Sequence, residues 1–197
     1  MANSKILTPE DKMKLRQPID EYVGKIQKQI DVLRKDGTAK VLEYQNIIDG
    51  IKRDRTLTKG ERENRISQCQ VELEKAKAVE SKNKDEISKL IADAENYLKA
   101  HFDKEYYTPI KESCAAEKVQ AKERYKERLA ELERQHKEIL SGLKEQKEIK
   151  DENYVYKNRL ANAKLELQKE YQGIKDERHE AFNHKYHLID MLRLSKF

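Results

Sequence analysis

From Thr108 to Ser195, apolar or small side chains recur at three- and four-residue steps, and most intervening positions belong to Lys, Arg, Glu and Gln. One run passes through Ile110, Cys114, Ala121, Tyr125, Leu129, Leu132, His136, Ile139 and Leu143. A second, through Ile149, Tyr156, Leu160, Ala163, Leu167, Ile174, Ala181, Leu188 and Leu192, is shifted in phase. Such spacing lays a narrow apolar stripe along a helix. The phase shift, centred on Lys147 to Asn153, is either a stutter in one continuous helix or a turn between two. One helix over 109–194 would measure about 130 Å, whereas a turn near Lys150 gives two arms of roughly 42–44 residues that can bury each other's stripes. The matched arms favour the folded form; the lack of Gly and Pro in the window favours the rod.

The N-terminal part carries the same pattern with clearer punctuation. Thr8 can cap a helix that begins at Pro9, with Glu10 and Asp11 at its positive end. Pro18 interrupts it. Ile19, Tyr22, Val23, Ile26, Ile30 and Leu33 then lead to Gly37, a residue suited to a left-handed C-terminal cap, and Val41, Leu42, Tyr44, Ile48 and Ile51 form a further stripe. These segments predict an N-terminal helical hairpin over residues 1–57, followed by a long-helix coiled-coil region over 58–197.

Thr58 and Glu61 form a capping box for a third helix, from about Lys59 to Tyr106. Its register of Ile66, Cys69, Leu73, Ala76, Ile87, Leu90, Ala94, Tyr97 and His101 also places Glu80 and Asn83 in the seam, a soft centre or a break. Thr108-Pro109 is the strongest break beyond that, because the residue before proline avoids the helical region. Tyr106 and Tyr107, beside that bend, are candidate exposed contact residues.

Composition sharpens the class. Ala, Glu, Lys, Leu and Arg make up about half the chain, 40% of residues are charged and 37% hydrophobic. With a helical repeat this predicts an all-α fold of elongated helical hairpins or an antiparallel coiled-coil bundle with long helices. Apolar residues are too scarce for a thick core with an enclosed pocket, which argues against an enzyme of ordinary design. Cys69 and Cys114 cannot build a disulfide framework and read as small buried hydrophobes. Met1 to Leu7 lacks the apolar stretch of a signal peptide, and no run approaches the ~18 residues of a membrane span. The expected localisation is cytoplasmic.

Candidate chemistry is sparse. The net charge of +5 is concentrated in residues 1–60, and Lys52, Arg53, Arg55, Lys59, Arg62 and Arg65 form a candidate basic patch. Against it stands the reading of an exposed helix connection with solvated charges. Glu133 with His136 and Asp176 with His179 have the spacing of helical di-iron ligands. In a chain this rich in acids such pairs arise by accident, and no metal or other cofactor is expected. Arg178 and His184, separated by five residues, resemble over seven residues the motif of the helical HEPN ribonuclease family. The resemblance implies phosphate stabilisation by Arg178 and proton transfer by His184; the same residues also read as a solvated helix face.

The resulting expectation is a non-enzymatic interaction, scaffold or adaptor protein that grips another macromolecule through helical faces. Its partner would be another protein or a second copy in a homodimer. The alternative is a nucleic-acid-associated accessory protein that uses the basic N-terminal third.

Overall fold

A computed structural model describes residues 6–195. The fold is all-α, and among the described residues there is no strand. Among the described residues four α-helices follow one another: α1 (Pro9–Arg53), α2 (Lys59–Phe102), α3 (Thr108–Gly142) and α4 (Gln146–Leu194), with a π-helical stretch at Asp103–Tyr107 between α2 and α3. The chain forms two compact units. Unit 1 comprises Met1–Leu15 and Asp103–His184; unit 2 comprises Arg16–Phe102 and Lys185–Phe197.

In unit 2, α1 and α2 run antiparallel: Tyr22 meets Tyr97 at a ring-centroid distance of 4.0 Å, and Leu33 lies opposite Asn83. Burial is deepest where the last turns of α4 join them. Ile19, Val23 and Ile30 of α1, Ile91, Leu98 and Phe102 of α2, and Leu188 and Leu192 of α4 are all buried. Arg193 of α4 fastens this end by donating two hydrogen bonds, at 2.7 and 3.1 Å, to the carboxylate of Glu95. Toward the α1–α2 connection the seam thins, and Leu42, Val71 and Val79 are exposed. Two helices can cover one stripe each, and flanking apolar residues stay in water.

The expected N-terminal hairpin is corrected to a single helix. Pro18 sits inside α1, and no glycine has positive φ, so Gly37 makes no left-handed cap. Burying Ile19 and Val23 on the helical face contributes about 1.5–3 kcal/mol each, which offsets the cost of an internal proline, about 3 kcal/mol. Gly37 acts instead through its missing side chain. A Cβ there would lie 3.3 Å from the Glu80 Cα, so the glycine marks a close approach of α1 to α2. Beside it the Asn83 amide donates 2.9 Å to the Leu33 carbonyl oxygen, and α2 passes through its polar centre without a break.

Unit 1 holds the second pair, and here the chain turns. Arg124 pairs with Glu170, while His136 stacks on Tyr156 at 4.0 Å with Nδ1 3.3 Å from a Glu152 carboxylate oxygen. The continuous-rod alternative is thereby excluded for residues 108–184. The turn lies at Leu143–Glu145, a few residues before the expected window: Leu143 is extended (φ −88°, ψ 138°) directly after Gly142. Gly142, a poor helix former, was the available signal. Thr108-Pro109 is likewise no break. Pro109 occupies the first turn of α3, where a missing N–H needs no partner, and the π-helical stretch before it keeps the backbone helical. Tyr106 is therefore buried at 8% exposure rather than displayed.

Two glycine substitutions should move stability in opposite directions. Gly37→Leu forces α1 and α2 apart and should cost about 1–3 kcal/mol. Gly173→Ala, where an added Cβ meets nothing within 4 Å, should stabilise by about 0.5–1 kcal/mol. Denaturant midpoints followed by circular dichroism report both, and equal shifts of one sign would contradict the assignment of close approach to Gly37.

Candidate functional site

A groove of about 1010 Å³ lies in unit 1, between the N-terminal third of α3 and the facing part of α4. Helical spacing brings its residues together: α3 contributes Lys111, Ala115 and Lys118 at four- and three-residue steps, and α4 contributes Gln168, Tyr171, Lys175, His179 and Phe182. Cys114, Ala115 and Ile174 form the floor. Tyr107 and Phe182 stand edge to face at 5.5 Å at one end, and the Lys118 ammonium lies 5.1 Å from the Tyr171 ring centroid. Lys111, Lys118, Lys175 and Arg178 line the groove against one acid, Glu112.

Lys12, from the first turn of α1, positions the helices that make this groove. Its ammonium reaches Glu117 of α3 at 3.0 Å and Glu177 of α4 at 2.6 Å, and Ser113 donates 3.0 Å to the same Glu117 carboxylate. The Leu7 backbone N–H donates 2.9 Å to Ser113 Oγ. Burial lowers the Lys12 pKa, but hydrogen bonds and charge from Glu177 and Glu117 outweigh it, and the net shift is upward. The Cys114 thiol is pushed up by burial first and by Glu177 and Glu117 next, which keeps it protonated and inert.

The residues singled out in the sequence fall in different places. Arg62 of the basic patch is half-buried and donates to the Asp54 and Leu57 carbonyl oxygens at 2.8 and 3.2 Å, so it ties the α1–α2 connection. Lys52 pairs with Asp49, whereas Arg53, Arg55, Lys59 and Arg65 are exposed. Thr58 and Glu61 make the capping box, with hydrogen bonds of 2.9 and 3.4 Å. Tyr107 lines the groove; Tyr106 is turned edge-on to His184 at 5.9 Å. The nuclease-like pair is not assembled: Arg178 is exposed at the groove while His184 is buried against Tyr106. Glu133 pairs with Lys137 rather than sharing a site with His136, and among the described residues no cluster of three metal-ligating side chains occurs. Sequence reasoning missed the groove because its cations alternate with acids along each helix and converge only when α3 and α4 pair.

Lys12→Met should lower stability by about 1–3 kcal/mol, the range for lost hydrogen bonds to charged groups. Because the folded pKa is raised above the ordinary 10.5, the contribution is complete below that pH and is lost as pH rises through the folded value. Urea midpoints at pH 8 and pH 11 should therefore differ more in the wild type than in the variant. Equal differences would remove Lys12 from this role.

No curated protein and no solved structure matches the chain. One family model does, over residues 11–196: the N-terminal domain of the ABC transporter permease MglC. This finding overturns the expectation of a cytoplasmic scaffold or adaptor with a generic protein partner or a homodimer, and equally the nucleic-acid alternative. The family is named for an ABC transporter permease, a component of a membrane transporter. Among the described residues no helix is long and apolar enough to cross a membrane. Stripes and interleaved charges define a helical surface and leave its assignment open, which is why the patterning pointed elsewhere. With the match running almost from end to end, the chain belongs to the family of the N-terminal domain of the ABC transporter permease MglC.

Proposed function

We propose that this chain serves an ABC transporter permease as a charged, non-enzymatic helical domain that faces water and contacts other components of the transporter. The family match over residues 11–196 carries this reading. Physical support comes from the composition. With 40% charged residues, the four helices cannot be surrounded by lipid, because each charge at the bilayer centre costs about 2.5–3.5 kcal/mol or more. The groove of unit 1, open and rimmed by cations, supports contact with a partner better than turnover of an enclosed substrate. Nothing in it pairs a nucleophile with a base: Cys114 is held protonated, and the nearest histidine, His179, has no acid partner within hydrogen-bonding distance among the described residues.

Fractionation of host cells that carry a tagged form of the protein tests this. It should sediment with membranes, co-purify after detergent extraction with an ATP-binding transporter subunit, and release no phosphate from ATP when assayed alone. Recovery in the membrane-free supernatant without any transporter subunit would overturn the proposal.

A further inference from the structure

In the α3–α4 groove apolar surface and uncompensated positive charge coincide. Further along α3 several cations are paired along the helix, Lys126 with Glu123, Arg134 with Glu131 and Glu138, and Lys137 with Glu133. Among the described residues Lys111, Lys118, Lys175 and Arg178 form no ion pair within 4.0 Å, and Lys118 rests on the Tyr171 ring instead. With Glu112 as the one carboxylate in the lining, the groove carries a local excess of three positive charges.

Shape then selects the ligand. The lining of α4 extends from Gln168 to Phe182, four turns or about 21 Å, and Lys111 and Lys118 stand about 10 Å apart along α3. A small anion needs donors that converge on one point; here Lys111 and Lys118 stand two turns apart on α3 while Lys175 and Arg178 belong to α4. Between them lies a floor of short or half-buried side chains, Cys114, Ala115 and Ile174, with aromatic walls at Tyr107, Tyr171 and Phe182. An amphipathic helix fits these dimensions, since its apolar residues at i, i+3, i+4 and i+7 meet the floor while flanking carboxylates meet the rims. A second copy of this chain is a poor occupant. It carries a net charge of +5, which a cationic groove repels.

We infer that the groove docks an acidic amphipathic helix supplied by another component of the transporter. The source of that helix rests on the function proposed above; its chemistry rests on the groove. Docking against fixed cations gives register and orientation, and its strength falls with salt because the rims are exposed.

A photoreactive benzoylphenylalanine at Ala115, in the full protein in host membranes, tests the site, with the same probe at exposed Asn158 as control. The Ala115 probe should cross-link to an Asp- and Glu-rich helical segment of a transporter subunit, mapped by mass spectrometry, and the Asn158 probe should not. The double variant K118E/R178E changes two exposed side chains and should retain its melting temperature while the cross-link yield falls at least tenfold. A synthetic peptide of the mapped segment should bind the purified wild-type protein, and bind the double variant at least tenfold more weakly. Cross-links into phospholipid or into a second copy, or a yield indifferent to charge reversal, would overturn the inference. If the wild type co-purifies with the ATP-binding subunit but the Ala115 probe never reaches a transporter subunit, the groove assignment falls and the transporter reading stands. Absence of co-purification removes both.

Discussion

Burial of a narrow apolar stripe along each helix is the interaction on which the whole chain depends. With 37% hydrophobic and 40% charged residues there is too little apolar surface for a thick core, so each helix must find a neighbour along its length. The depth of burial then follows the number of helices present. Where the end of α4 packs with α1 and α2 in unit 2, Ile87, Ile91, Ala94, Leu98 and Phe102 are all buried along one helix. Where α1 and α2 pair alone, Ile48 and Ala76 are buried while Leu42 and Val71 remain in water. A side chain such as Leu42 is exposed because no third helix reaches it, and its own chemistry has no part in that.

Apolar stripes that repeat every turn leave register weakly specified, and polar groups set within the seams supply what the stripes lack. Asn83 donates to the Leu33 carbonyl, and His136 is held between the Tyr156 ring and the Glu152 carboxylate. Sliding either pair by one turn would strand a buried donor, a penalty of about 1–3 kcal/mol. Gly37 adds a steric device to the same end, because a Cβ at that position would press on the Glu80 backbone. What looked like soft spots in the seams are the places that fix the alignment of the helices.

Electrostatics divides the surface by a similar logic. On the exposed faces Lys75, Lys77, Lys126 and Lys137, among others, meet a Glu three or four residues away, interactions worth a few tenths of a kcal/mol. At the α3–α4 groove Glu117 and Glu177 are turned toward Lys12, and four cations line the groove against one carboxylate, Glu112. One lysine from the first turn of α1 thus both fastens the helix pair and contributes to the positive character of the groove.

Local propensity was written plainly in the residues: the all-α class, the Thr58–Glu61 box, the start of α1 at Pro9 and the stripes through Ile87, Ala94, Leu132 and Ala163 all depend on neighbours within one or two turns. The turn was partly legible, since Gly142 marked its place while the phase shift pointed a few residues further on. Pro18, Gly37 and Pro109 misled for one reason. Each is a helix breaker in isolation, and each is carried inside or at the start of a helix because burial of its neighbours, a missing Cβ at a helix crossing or a π-helical turn offsets the local cost. The groove was beyond reach of the sequence. Lys111 and Arg178 are 67 positions apart, and only the antiparallel pairing of α3 and α4 places their charges on one rim-lined cavity. Short-range order follows from the residues themselves; the convergence of distant charges follows from packing, which alone decides which faces meet.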